Sequence, residues 1–200
     1  MSDEDIEVKI QNIVFSVTLN QRIDLDKIAQ KGDNIEYKPE QFPGLVYRLK
    51  KPKLALLIFS SGKMVVTGAK TKEASEKAVY KVIDQLNKWG LNIKAEPKIE
   101  VQNIVASADI KAGIDLEKAT LELENALYEP EQFPGLIYRM DEPKVVLLLF
   151  SSGKLVCTGA KTEEEALGFY RRVRDEIREF VQTMPESLFD MLASWQEKEG

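Results

Sequence analysis

Glu40-Gln41-Phe42-Pro43-Gly44-Leu45-Val46-Tyr47-Arg48 returns ninety-one residues later as Glu131-Gln132-Phe133-Pro134-Gly135-Leu136-Ile137-Tyr138-Arg139. The correspondence extends without a gap on both sides, and 35 of 61 positions are identical between 11–71 and 102–162. A chain of 200 residues can bury a core as one domain or as two small ones, and the repeat selects two copies of one unit. The expected organisation is an acidic lead-in at 1–7, a first repeat at 8–90, a linker at 91–98, a second repeat at 99–181 and a C-terminal tail at 182–200.

Outward from the repeated stretch, each half reads as β-α-β-β-β-β-α. The first strand, 8–19, carries Ile13, Phe15, Val17 and Leu19 on one face. Its other face, with Ile10, Asn12, Val14, Ser16 and Thr18, has no charge. A short helix is expected over 24–30, capped by Asp24, with its counterpart starting at Asp115. Strands follow at 35–38 and 45–49, then a hairpin of 54–60 and 64–68 turning at Ser61-Gly62-Lys63. A long helix closes the half, its stripe running through Ala74, Ala78, Val82, Leu86 and Trp89, with Gly90 as the stop. The second copy has a capping box from Thr162 to Glu165 and a stripe of Leu167, Tyr170, Val173, Ile177 and Val181. Leu188, Met191, Leu192 and Trp195 predict a further short helix near the C-terminus.

This order implies an α+β fold with an antiparallel sheet and the helices on one side. The other face is left open. Val14, Leu57 and Val65, with their mates Val105, Leu148 and Val156, form an uncharged patch beside Asn12, Thr67, Asn103 and Thr158. A large exposed apolar patch marks a binding surface, and self-association of the free protein through it is left open by the sequence.

Composition narrows the chemistry. Histidine is absent and Cys157 is the single cysteine, so a zinc cluster, an internal disulfide and the commonest general base are missing. No carboxylate pair sits in an apolar setting, so no catalytic residue, metal or cofactor is assigned. The longest apolar runs, Leu54 to Phe59 and Val145 to Phe150, are far short of a membrane span of about 20 residues. The acidic start lacks the features of a signal peptide, and a cytoplasmic location is expected. Net charge is −5, but residues 1–95 hold 16 basic and 12 acidic side chains whereas 96–200 hold 12 and 21. The two halves therefore present different fields to a charged partner.

Three motifs recur in both halves: Gln-Asn-Ile-Val at 11–14 and 102–105, Tyr-x-Pro-Glu-Gln-Phe-Pro-Gly at 37–44 and 128–135, and Val-x-Thr-Gly-Ala-Lys at 65–70 and 156–161. Together they resemble the TATA-box-binding protein family in its archaeal form, over residues 8–181. The resemblance implies two tandem repeats forming a pseudo-two-fold saddle, with one curved antiparallel sheet on the minor groove of promoter DNA and helices on the convex side. It implies Phe42, Phe59, Phe133 and Phe150 as intercalating wedges. Asn12, Val14, Leu57, Val65 and Thr67, with Asn103, Val105, Leu148, Val156 and Thr158, would meet the base edges. Arg48, Ser61, Lys63, Arg139, Ser152 and Lys154 would hold phosphates, while Gln41 stands where many eukaryotic members have a basic residue. Glu129, Glu131 and Gln132 resemble the surface that docks transcription factor B, with RNA polymerase as the further partner. The alternative is an accessory domain of the same family that uses the open face for another nucleic acid or for a protein.

Overall fold

The computed structural model describes residues 8–32, 34–141 and 144–181, with side chains to 173. The lead-in at 1–7 and the tail at 182–200, with its expected helix, lie outside the described residues, as do the side chains of Ile177 and Val181. Two compact units emerge, one of 10–106 with 160–162, the other of 8–9, 107–159 and 163 onward.

The elements of the first repeat are β1 (Lys9–Thr18), α1 (Asp26–Ala29), β2 (Ile35–Glu36), β3 (Leu45–Leu49), β4 (Leu54–Ile58), β5 (Lys63–Ala69) and α2 (Lys72–Lys88). The second repeats them as β6 (Lys98–Asp109), α3 (Leu116–Glu122), β7 (Ala126–Leu127), β8 (Gly135–Met140), β9 (Val145–Phe150), β10 (Lys154–Ala160) and α4 (Glu163–Val181). This is the predicted order in both halves. In the first unit the hydrogen-bonded neighbours run β2-β3-β4-β5-β1-β6, and in the second β10-β9-β8-β7. The strand pairs β1/β5, β2/β3, β3/β4 and β4/β5 are antiparallel, and so are β7/β8, β8/β9 and β9/β10.

Alternation in sequence becomes two-sidedness in structure. Ile13, Phe15, Val17, Leu45, Leu56, Ile58 and Val66 are buried on one face, where Ala78, Val79, Val82, Ile83 and Leu86 of α2 join them. Full burial of a side chain of this size stabilises by about 1.5–3 kcal/mol, so this layer holds each unit together. Thr71 caps α2, its hydroxyl accepting from the Ala74 N–H at 3.2 Å. At the other end the Leu91 N–H donates to Leu86 O and the Gly90 N–H to Asn87 O, a Schellman closure that needs Gly90 at φ +95°.

Four expectations shift. The strand expected over 35–38 stops at Glu36, because Lys38 O is taken by the N–H groups of Gln41 and Phe42 and Pro39 has no N–H to continue a ladder. The helix expected over 24–30 shrinks to four residues, although Asp24 Oδ1 still accepts from the Lys27 N–H at 3.2 Å. The inward face of α2 is wider than the stripe read from sequence, with Ser75, Val79 and Ile83 buried while Ala74 and Trp89 are half-buried. In α4 the inward residues are Ala166, Phe169, Tyr170 and Val173, whereas Leu167 is 42% exposed. Leu167 follows Ala166 by one position, and it is Ala166 that takes the inward place beside Phe169 and Tyr170.

Candidate nucleic-acid interface

The face opposite the helices carries the predicted patch. Leu57 pairs across the ladder with Val65, and Leu148 with Val156. All four are half-buried, as are Val14 and Val105. The registers add two residues that the sequence reading omitted, Val46 opposite Leu57 and Ile137 opposite Leu148. Their signal was present as the alternation of Leu45 to Leu49, which puts Val46 and Arg48 on one side.

The four phenylalanines come together as two pairs, one within each unit. Phe42 and Phe59 meet edge to face with centroids 5.8 Å apart, and Phe133 and Phe150 do so at 5.9 Å. Such packing orients the rings without burying them, and Phe42 remains 39% exposed. The loop before each pair is held by backbone bonds: the Phe42 N–H donates to Lys38 O and the Phe133 N–H to Glu129 O, both at 2.9 Å. Gly44 and Gly135 have a role beyond the rigid turn. A Cβ on Gly44 would lie 2.6 Å from Phe42 Cε1 and 3.0 Å from Phe59 Cε1, and one on Gly135 would lie 2.8 Å from Phe133 Cε1 and 3.0 Å from Phe150 Cε1. The missing side chain is the seat of the ring pair.

Asn12 and Thr67 are also brought together. The register of β1 with β5 passes from Ile13 opposite Ala69 to Phe15 opposite Val66, so β5 holds an extra residue at this point. Gly68 takes φ +104°, with Lys53 O only 2.8 Å from where a Cβ would stand. The bulge frees the Gly68 N–H, which donates to Asn12 Oδ1 at 2.7 Å. Asn12 Nδ2 donates to Thr67 Oγ1 at 2.9 Å, which aims the amide along the open face. Gly159 repeats the conformation at φ +111°. Asn103 and Thr158, the equivalent positions of the second repeat, are each half-buried.

The rim is charged. Arg48, Ser61, Lys63, Arg139, Ser152 and Lys154 are all exposed. Ser16, Phe59, Ser61, Lys63 and Val65 line a cleft of about 570 Å³ in the first unit. Their equivalents Ser107, Phe150, Ser152, Lys154 and Val156 line one of about 490 Å³ in the second. Arg48 instead lines a third cleft, with Asn12, Thr67 and Lys53. Asp109 accepts from the Lys111 N–H at 2.9 Å and from Lys111 Nζ at 3.2 Å. The backbone hydrogen bond foremost, and then the side-chain one, hold its carboxyl below the ordinary range. Glu129, Glu131 and Gln132 are exposed on the loop before Phe133. Among the described residues no group of three or more His, Cys, Asp or Glu side chains is placed to hold a metal ion.

Fold and geometry define a repeat-built protein in which a sheet face opposite the helices is apolar in the middle and cationic at the rim. Residues 7–89 and 98–180 both match the family described as transcription factor TFIID (or TATA-binding protein, TBP), and the chain belongs to that family. It is 55% identical over 172 residues to the TATA-box-binding protein of Sulfolobus acidocaldarius, covering 86% of this chain and 87% of the relative. It is 53% identical over 175 residues to that of Methanosphaera stadtmanae, covering 88% and 96%. The solved structure of Methanococcus jannaschii TBP superposes with a TM-score of 0.82 at 50% identity, over 86% of this chain and 99% of that one.

Proposed function

We propose that the protein is a general transcription initiation factor, without catalytic activity, that binds the minor groove of TATA-box DNA through the open faces of repeats 8–90 and 99–181. The observation that carries this reading is the pairing of a charge-free apolar face with two aromatic pairs, of which Phe42 is exposed and Phe59, Phe133 and Phe150 are half-buried. An A·T minor groove offers acceptors alone, whereas guanine adds an amino donor that Val14, Leu57, Val65 and their counterparts cannot satisfy. Asn12 and Asn103 donate to adenine N3 and thymine O2.

The ring pairs wedge into base steps and kink the duplex. Bending a site of this length costs about 1–6 kcal/mol. Unstacking adds a few kcal/mol per step, a figure for which TATA-binding proteins are among the reference cases. The buried apolar face and the phosphate contacts of Arg48, Lys63, Arg139 and Lys154, helped by Ser61 and Ser152, offset it. Four cations predict a slope of about −4 for log K against log salt.

A gel shift with a TATA duplex tests the reading. Wild type should retard and bend the duplex, and Phe150→Ala should weaken both. No shift, or a salt slope near zero, would overturn the reading in favour of an accessory domain with a different ligand.

The bent complex then presents Glu129, Glu131 and Gln132 to transcription factor B, which brings RNA polymerase. Charge reversal of Glu129 and Glu131 to Lys should abolish the ternary complex while leaving TATA binding intact; a ternary complex that survives would refute a docking role, and loss of both would indicate misfolding. This work takes place in the cytoplasm, at the nucleoid. Self-association of free protein through the same faces would compete with DNA, and sedimentation over a range of concentrations measures it.

A further inference from the structure

The two wedge clefts are equivalent in shape but not in charge. The second-unit cleft is lined by Lys9, Lys111 and Lys154 with one carboxylate, Asp109. The first-unit cleft is lined by Lys63 and Glu100. Lys9 and Glu100 are equivalent positions, ninety-one residues apart, so the repeat carries a charge inversion there, and Thr18 stands where the second copy has Asp109. Asn20 stands where the second copy has Lys111. Glu100 pairs with Lys98 at 3.0 Å. Counted over the lining side chains alone, the first cleft has no net charge and the second an excess of two positive charges.

We propose that this inversion orients the protein on its DNA: the cleft beside Phe150 takes the flank with the more negative minor groove, and the cleft beside Phe59 takes the other. The proposal rests on the TATA-binding reading. Its physical basis is that a narrow, A·T-rich minor groove concentrates negative potential and attracts cationic side chains, whereas a G·C-rich flank does so less. Because both clefts contain Phe, Ser and Lys in the same places, the wedges do not distinguish the ends. Lys9 and Glu100 do, since Lys111 is paired with Asp109.

The test uses a duplex whose core, TATATATA, reads the same on both strands, with a run of A·T pairs on one flank and G·C pairs on the other. A donor dye is placed on the exposed residue 50 as Lys50→Cys, Cys157 being fully buried. An acceptor on one duplex end reports orientation by energy transfer. Wild type should favour the orientation with the Lys9 cleft on the A·T flank by about two- to five-fold, the range of an exposed charge contact, and the bias should fade as salt rises. The double variant Lys9→Glu, Glu100→Lys should invert the bias at unchanged melting temperature. An even distribution for wild type, or a bias that the double variant leaves in place, would overturn the proposal. Absence of any retarded complex with wild type is a separate result, seen before energy transfer is measured, and removes the TATA-binding reading itself.

Discussion

Replacing Gly44 or Gly135 with alanine separates the seating of the ring pairs from the stability of the fold. Neither glycine has a positive φ, so alanine brings no backbone strain, and the whole effect lies in the added methyl. At Gly44 the nearest ring atom would be 2.6 Å away, and at Gly135 2.8 Å, against ordinary contact from 3.4 Å, so a ring must retreat by about 0.8 Å or 0.6 Å. Displacing a ring off its rotamer costs about 0.5–1.5 kcal/mol. Loss of chain entropy in the unfolded state returns about 0.4–1 kcal/mol. The net change in stability is therefore within about 1 kcal/mol, or a melting shift of about 2–4 °C in a chain of this size. Binding suffers more, because unstacking a base step costs a few kcal/mol that a misplaced wedge no longer offsets. At about 1.4 kcal/mol per decade, TATA affinity should fall by about ten- to a hundred-fold, with a smaller bend. Gly135→Ala should be the more severe, since Leu149 O, a backbone atom of β9, also lies 3.2 Å from the new Cβ and cannot retreat. Anisotropy titration, end-to-end energy transfer on the duplex and a thermal melt read the three quantities. Wild-type affinity and bend in both variants would refute the seating role, and a melting drop well beyond 4 °C would show that the glycines serve folding instead.

Two further predictions use one repeat as the template for the other. Ser75 is fully buried in α2, its hydroxyl has no hydrogen-bond partner among the described residues, and the equivalent position is the buried Ala166. Ser75→Ala should therefore stabilise by about 1–3 kcal/mol, read as a raised urea midpoint, and destabilisation would reveal a partner for the hydroxyl. Cys157 is buried, its thiol pushed up from 9.0 to about 12 by desolvation, so native protein at pH 8 should resist thiol reagents until it unfolds. A folded pKa above the unfolded one stabilises below pH 9 and loses that contribution as pH rises towards 12. Cys157→Val, which copies the equivalent Val66 of the first repeat, should accordingly show a shallower alkaline loss of stability than wild type.

The fold was legible because it is written twice. A single Phe-Pro-Gly stretch is weak, but its return with the same neighbours marked the repeat and the order of elements in each half, while the two sets of phenylalanines came from the family resemblance. What escaped the sequence depends on distances between backbones. The seat at Gly44 exists only because Phe42 and Phe59, from different elements, converge over it. Asn12 could be read as a donor on the open face, yet its bond to the Gly68 N–H needs a bulge that alternation alone does not announce. Gly68 inside a strand was the available signal. Leu167 misled for the opposite reason: a large apolar side chain looked inward where the helix turns it out, and the smaller Ala166 holds the core position.

The bulge has a further consequence, for which changes of length the chain can survive. Along β5 the inward residues are Met64 and Val66, and then Ala69, three steps on rather than two. The extra step keeps Ala69 in the core and Gly68 out of it. Deleting one residue between Val66 and Ala69 would restore strict alternation with Ala69 still inward, and what would be lost is the bulge itself, whose Gly68 N–H holds Asn12 Oδ1. A one-residue deletion here would therefore remove the seat of the Asn12 amide while sparing the sidedness of the strand.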